Sequence, residues 1–268
     1  MAVLAARTTP VSHRSWLVVA ERELRDTWLT GRALPLMLAY ALLLSVTTYL
    51  VAINQELNFL EQRESAGLTL QVAVAVGGLL ALLGAADALS GERERGTLES
   101  LLLTPAPRRA LVIGKGVAAL SLWIGAYVVS LPYVWYLGRD VGVVGVSATA
   151  GLVVGTLLAL FLVGFGLLVS TYSTSNKLSL SVCLFALLAL YAPSQMPSAA
   201  QQGWAGDLLL HVDPFTSGLR FLDRLVINGH SWGDEIGWLV GPMVAAALAV
   251  AAALAVAPRL SLRSGDRS

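Results

Sequence analysis

The residues of this chain that could do chemistry are few, and their spacing argues against most of it. Gly114-Lys115-Gly116 sets a lysine between glycines, as a phosphate cradle does, but lacks the upstream glycine at the required distance and the Ser or Thr after the lysine. The chain is therefore expected to hold no ATP, and any ATP energy must come from another subunit. His13, His211 and His230 are far apart and fall outside the apolar runs, and Cys183 stands alone, so no set of metal ligands converges. Of the four methionines one is the initiator, which leaves no soft-metal relay. A membrane protease or transferase needs a nucleophile and a base together, and no histidine or carboxylate is placed for that. No enzyme activity, bound cofactor or metal is expected here, and Cys183 reads as packing.

What remains is one unusual segment, Gly91-Glu92-Arg93-Glu94-Arg95-Gly96-Thr97-Leu98-Glu99-Ser100-Leu101-Leu102-Leu103-Thr104-Pro105, charged at first and then amphipathic. With Leu98, Leu101 and Leu102 on one side and Glu99 and Ser100 on another, it predicts a helix of about two turns lying along a membrane. Pro105 stops that helix, because the residue before proline avoids helical geometry. Such a segment is a docking handle. Asp87, just upstream and close in sequence to Arg93 and Arg95, reads as an interfacial charge opening this loop rather than a carrier's ion site near the bilayer midplane.

The elements that position the segment are membrane spans. The chain is 56% hydrophobic and 13% charged, with a mean hydropathy of +0.71, unlike a soluble domain. Runs long enough to cross about 30 Å of hydrocarbon lie near Ala33 to Ile53, Gly67 to Leu89, Ala110 to Leu137, Val146 to Val169, Leu178 to Tyr191 and Ile236 to Ala257. The expected fold is all-α, with six transmembrane helices. The fifth is short and must borrow Ser175, Asn176 and Lys177, or Ala192 and Pro193. Pro132 and Pro242 are candidates to kink the third and sixth spans, and Gly151-x-x-x-Gly155 reads as close packing between helices of one chain. Tyr40, Ser45, Thr48 and Tyr49, with Ser179, Ser181 and Cys183, read as interhelical hydrogen bonding rather than the wall of a path.

Positive residues stay on the cytoplasmic side. With six spans, both ends, the second-to-third loop and the fourth-to-fifth loop share a face, which leaves only Arg63, Arg139, Arg220 and Arg224 of the 18 Lys and Arg on the other. Both termini are expected in the cytoplasm. The formal net charge of +1 gives no basis for nucleic-acid binding. Before the first span, Ser15 to Thr30 places Trp16, Val19, Ala20, Leu24 and Trp28 at helical steps, an interfacial amphipathic helix with no cleavable signal ahead of it. The expected organisation is that helix within residues 1–32, a six-helix membrane domain over 33–257, and a cytoplasmic tail over 258–268. The membrane domain contains the docking loop, 88–109, and an external loop, 192–235. In the external loop Phe215, Leu219, Leu222 and Val226 line one face of a helix that begins after Asp213-Pro214, with Asp213 as N-cap.

The order Gly91-Glu92-Arg93-Glu94, Gly96-Thr97-Leu98-Glu99, Leu101-Leu102, Thr104-Pro105 and Gly114-Lys115 resembles the loop between the second and third spans of permease subunits in type-2 ABC transporters. Arg22-Glu23-Leu24-Arg25-Asp26 is similar to the N-terminal helix of that family, and the Pro-Phe at 214–215 to its fifth-to-sixth loop. The resemblance implies a coupling helix seated in a groove of a separate ATPase subunit, which would hold ATP and Mg. It implies a second permease half, identical or related, with export between the halves. The coupling residues it marks are Glu92, Arg93, Glu94, Gly96, Thr97, Leu98, Glu99, Leu102 and Pro105; of these Glu94, Thr97, Leu98, Glu99 and Leu102 are expected to make the contact. Abundant Arg, Ala and Gly point to a prokaryotic plasma membrane, whose lipid surrounds the chain. The alternative readings are an ATP-driven transmitter of force to an extracytoplasmic partner and, behind it, an ATP-independent carrier.

Overall fold

A computed structural model describes residues 15–29, 33–53, 59–104, 106–195 and 211–259. Pro105, His13, the stretch 196–210 and the tail from 260 lie outside them. The described residues form no strand. Among them the helices with described bounds are, in order, α1 (Ser15–Leu29), α2 (Ala33–Ala52), α3 (Phe59–Glu94), α4 (Leu98–Leu102), α5 (Arg108–Gly138), α6 (Val144–Tyr172), α7 (Asn176–Tyr191), α8 (Pro214–Val226), α9 (Trp232–Glu235) and α10 (Val240–Val256). Six segments are long and apolar enough to cross a membrane: α2, α3, α5, α6, α7 with the 3-10 turn Ala192–Gln195, and α9 to α10 with the 3-10 turns on either side of α10. The chain is an all-α multi-pass membrane protein.

The helices outrun the apolar runs that mark them. The second span reads as 67–89 by composition, yet α3 has 36 residues and is about 54 Å long; its polar ends continue the helix beyond the hydrocarbon. The fifth span borrows at both ends. Ser175 accepts from the amide of Leu178 as N-cap, and the 3-10 turn from Ala192 extends the far end. Pro132 lies inside α5, whereas Pro242 falls in the first turn of α10, just after a change of helix type, and so does not interrupt the middle of that span.

The core lies between α3, α5 and α6, with α10 against α6. Its centre is Trp123 of α5, only 1% exposed, whose indole donates to Thr156 Oγ1 at 3.1 Å. The ring fits because Gly77 of α3 and Gly155 of α6 have no side chains: a Cβ at Gly77 would meet it at 3.0 Å, and one at Gly155 would overlap it. Gly151 makes the same room for Leu70, and Gly164 lets the α10 backbone at Ala249 approach to 2.7 Å of where a Cβ would stand. The Gly151-x-x-x-Gly155 spacing serves packing within the chain. Interhelical hydrogen bonds take up part of the span polarity: Tyr40 Oη donates to the Ala73 carbonyl at 3.1 Å, and the Ser45 and Tyr133 hydroxyls pair at 2.9 Å, whereas Thr48 Oγ1 is buried and has no hydrogen-bond partner among the described residues. Tyr49 is exposed, and Cys183 is buried packing.

Helix α1 lies lengthwise along the first half of α5. Val19 sits in the notch of Gly114 and Trp28 in that of Gly125, and Trp28 Nε1 donates to Ser121 Oγ at 2.9 Å. The register advances in step on both helices, so α1 follows α5 rather than crossing it.

At the opposite end α8 is set into the bundle. Asp213 is its N-cap, accepting from the amide of Thr216 at 2.7 Å, with Pro214 in the first turn. Phe215, Leu219, Leu222 and Val226 are all buried, but so are Thr216, Ser217, Gly218, Phe221 and Leu225. The expected amphipathic surface helix is therefore nearly enclosed among α3, α6, α7 and α10. Two glycines permit this: Gly218 admits Val154 and Pro242, and Gly241 admits Ser217. Glu235, at the end of α9, ties the return by accepting from Arg224 through both oxygens at 3.1 Å and pairing with His230 Nδ1 at 2.6 Å.

Candidate functional site

The docking segment folds as an elbow between α3 and α5. Helix α3 ends in a Schellman turn: the amide of Gly96 bonds to the Arg93 carbonyl at 3.2 Å and that of Thr97 to the Glu92 carbonyl at 3.0 Å. Gly96 has φ of +71°, a conformation that glycine adopts without the penalty of a Cβ. The Thr97 hydroxyl also turns back to the Glu92 carbonyl, at 3.3 Å. Gly96 and Thr97 thus shape the elbow.

The charged residues before it hold the elbow to the bundle. Arg93 reaches the last carbonyls of α6, donating to Thr171 O at 3.1 Å and, closer still, to Ser173 O, where a cation complements the negative end of the helix. Glu94 does the converse at the start of α7, accepting from the amide of Asn176 at 3.0 Å. Glu92 meets Lys115 of α5, whose ammonium is 2% exposed and lies 2.7 Å from Glu92 Oε1 and 3.0 Å from Glu23 Oε1 of α1. One lysine thereby joins α1, α3 and α5. Asp87 lies 3.8 Å from Arg95, in keeping with an interfacial charge. One turn deeper in α3, the Ala86 carbonyl accepts from the hydroxyls of Ser90, Ser170 and Ser179 at 2.6, 2.7 and 2.9 Å, which binds α3, α6 and α7 together.

Helix α4 has five residues, shorter than the two turns its pattern suggests. Leu98 and Leu101 are buried against the bundle and Leu102 is half-buried, so the apolar side of the helix faces its own chain. Glu99, Ser100, Leu103 and Thr104 face outward, with Leu103 79% exposed. Leu103 is absent from the sequence-marked set, although its position four residues after Glu99 places it on the same helical stripe.

Behind the elbow is a cleft of about 840 Å³ between α1, α2, α3 and α5. Glu23, Asp26, Glu92 and Lys115 line its polar end, Leu36, Leu83 and Leu122 its apolar end, and Thr97, Ser100 and Leu101 the side toward α4. At the α8 end, Gln71 of α3 donates to Asp223 Oδ1. Burial pushes the Asp223 carboxyl up to about 6, against the opposing pull of the Gln71 bond and the Arg220 charge.

Among the described residues no three His, Cys, Asp or Glu converge as a metal site. His211 stacks on Trp238 at 4.4 Å and His230 pairs with Glu235. No curated protein matches the sequence. Residues 17–262 match the family described as ABC-2 family transporter protein. That match takes in the whole elbow and all six spans, and the chain belongs to the ABC-2 family of transporter proteins, as a transmembrane permease.

Proposed function

We propose that this chain is one half of an ATP-driven exporter, with the α4 elbow as the surface on which a separate ABC ATPase subunit bears. The observation that carries this reading is the division of labour in the elbow. Glu92 and Arg93 are turned into the bundle and locked to α5 and α6, and Glu94, though exposed, accepts from the first amide of α7, while Glu99, Ser100, Leu103 and Thr104 are turned out. A segment so fixed on one side and open on the other suits the transfer of a push. ATP and Mg bind in the ATPase, and their cycle tilts α3 and α5 through the elbow. Two halves, identical or related, meet through apolar faces that one chain leaves uncovered on α2 and α7, such as Leu38 and Leu42 or Phe185 and Leu188. The elbow end and both termini face the cytoplasm of a prokaryotic cell, following the lysine and arginine asymmetry.

Affinity purification from the native membrane in mild detergent tests this. A P-loop ATPase is expected with the parent chain, and Glu99→Ala/Leu103→Ala should reduce its recovery while the permease still elutes as a monodisperse species. Absence of any ATPase from the intact parent complex would overturn the reading. Full recovery with the double variant would remove α4 from the contact.

A further inference from the structure

We propose that a second groove, at the outer side of the seam between α1, α2 and α5, holds one acyl chain of a membrane phospholipid from the elbow-side leaflet. The proposal needs the membrane spans but neither the ATPase nor a cargo. The groove has a volume of about 690 Å³, with Leu24 and Trp28 of α1, Leu34 and Met37 of α2, and Val117 and Ile124 of α5 in its walls. Helix order shapes it. Helices α1 and α2 both lie against α5, and Trp28 sinks into the recess at Gly125, where a Cβ would meet the indole at 2.5 Å. Leu34, Ile124 and Val128 at the rim are exposed on spans, so the groove opens sideways toward lipid rather than endwise toward water.

Two observations point to a fatty chain. The first is that the walls offer nothing to a polar ligand. Their one hydroxyl, that of Ser121, donates to the Ala118 carbonyl at 2.6 Å and accepts from Trp28 Nε1 at 2.9 Å, so hydroxyl and indole N–H are spent within the chain. A polar body entering there gives up hydrogen bonds and recovers none. The second is length and depth. From Val117 to Val129 the groove follows α5 for about 18 Å, against about 15 Å of hydrocarbon in one leaflet. Leu34 and Met37 lie in the first turns of α2, which sets the mouth at the elbow-side edge of that span. Surrounding lipid gives such a valley no hydrophobic drive to close, so what favours filling it is dispersion contact. A thin, pliable chain makes that contact along the whole groove. Lodged there it touches α1 and α2 together and holds α1 on α5, beside the contact of Glu23 with Lys115.

The test loads the full chain, in dodecyl maltoside micelles, with phosphatidylcholine that carries a diazirine in one acyl chain. Excess unlabelled phosphatidylcholine is then added as a chase, the sample is irradiated, and adducts are mapped by peptide mass spectrometry. Adducts on the peptides that carry Leu24 to Trp28 and Val117 to Val129 should outlast the chase, while those at Val244 and Leu248, exposed on α10, are washed out. Val117→Trp and Ile124→Trp, which set an indole in either half of the groove, should abolish the lasting adducts. Leu248→Trp should leave them unchanged. Ile124 is already exposed, so its variant carries the test where Val117→Trp fails to fold. Groove adducts lost as fast as those at Leu248, lasting adducts unchanged in folded Ile124→Trp, or retention of a diazirine fatty acid in place of the phospholipid would overturn the proposal. Because no ATPase enters the assay, its failure is separate from failure of the co-purification.

Discussion

Removing the Lys115 ammonium should leave two carboxylates facing each other in a half-buried site. Its Nζ lies 2.7 Å from Glu92 and 3.0 Å from Glu23, whose side chains are 15% and 16% exposed, so the two acidic groups lie within roughly 6 Å of each other. At an effective dielectric near 20, their repulsion is about 3 kcal/mol, and breaking a buried pair from one side typically costs 3–5 kcal/mol. Lys115→Met should therefore lower the melting temperature of the detergent-solubilised protein by about 10 °C, taking a few degrees per kcal/mol for a chain of this size. The triple variant Glu23→Gln/Glu92→Gln/Lys115→Met removes every charge and should recover most of the loss, to within about 1 kcal/mol. Fluorescence-detected size exclusion after heating measures both. A single variant melting with the parent, or a triple variant no better than the single, would refute the idea that this lysine binds α1 and α3 to α5.

Other changes give distinct signatures. Gly155→Ala pushes a Cβ into the Trp123 ring and should cost about 1–3 kcal/mol, with partial rescue when Trp123→Leu is added, seen as coupling in a double-mutant cycle of melting temperatures. Asp213→Ala removes the N-cap of α8 and should cost about 1 kcal/mol, whereas Asp213→Asn retains an acceptor and should lose less. Asp223 has its folded pKa raised to about 6 from 3.8, so its contribution is most favourable at low pH and is lost as pH climbs through that window. The melting temperature should fall across it, and Asp223→Asn should flatten that part of the profile.

The number of spans was legible because hydrocarbon is an unforgiving solvent, and runs such as Ala33 to Ile53 have no other stable place. Their ends were not, since α3 continues as helix through polar residues on which the bilayer places no demand. One local device was legible, since the Asp213 cap acts over three residues, whereas the stop of α3 at Gly96 and Thr97 was not read as one. Long-range pairings were invisible. Nothing near Lys115 announces Glu23, 92 positions away, and nothing near Gly155 announces the Trp123 ring. The helical pattern of α4 separated Leu98 from Glu99 correctly, but which side faces the bundle depends on how α3 and α5 enclose it. Leu98 consequently turns inward, away from the partner the sequence assigned to it, and Leu103 is the exposed apolar residue instead.

The geometry of α3 carries a mechanical consequence. Gly77, where Trp123 wedges it against α6, stands midway between Phe59 and Glu94, about 27 Å of helix from either end. A rigid α3 that tilts would pivot at the Trp123 ring. One arm ends at the elbow; the other carries Gln71, which holds Asp223, and Arg63, which donates to the Ile227 carbonyl at 3.3 Å. A tilt of about 5° displaces each tip by about 2 Å in opposite senses. If the elbow is pushed inward, a rigid α3 pivoting at Trp123 should swing the seat of α8 the other way.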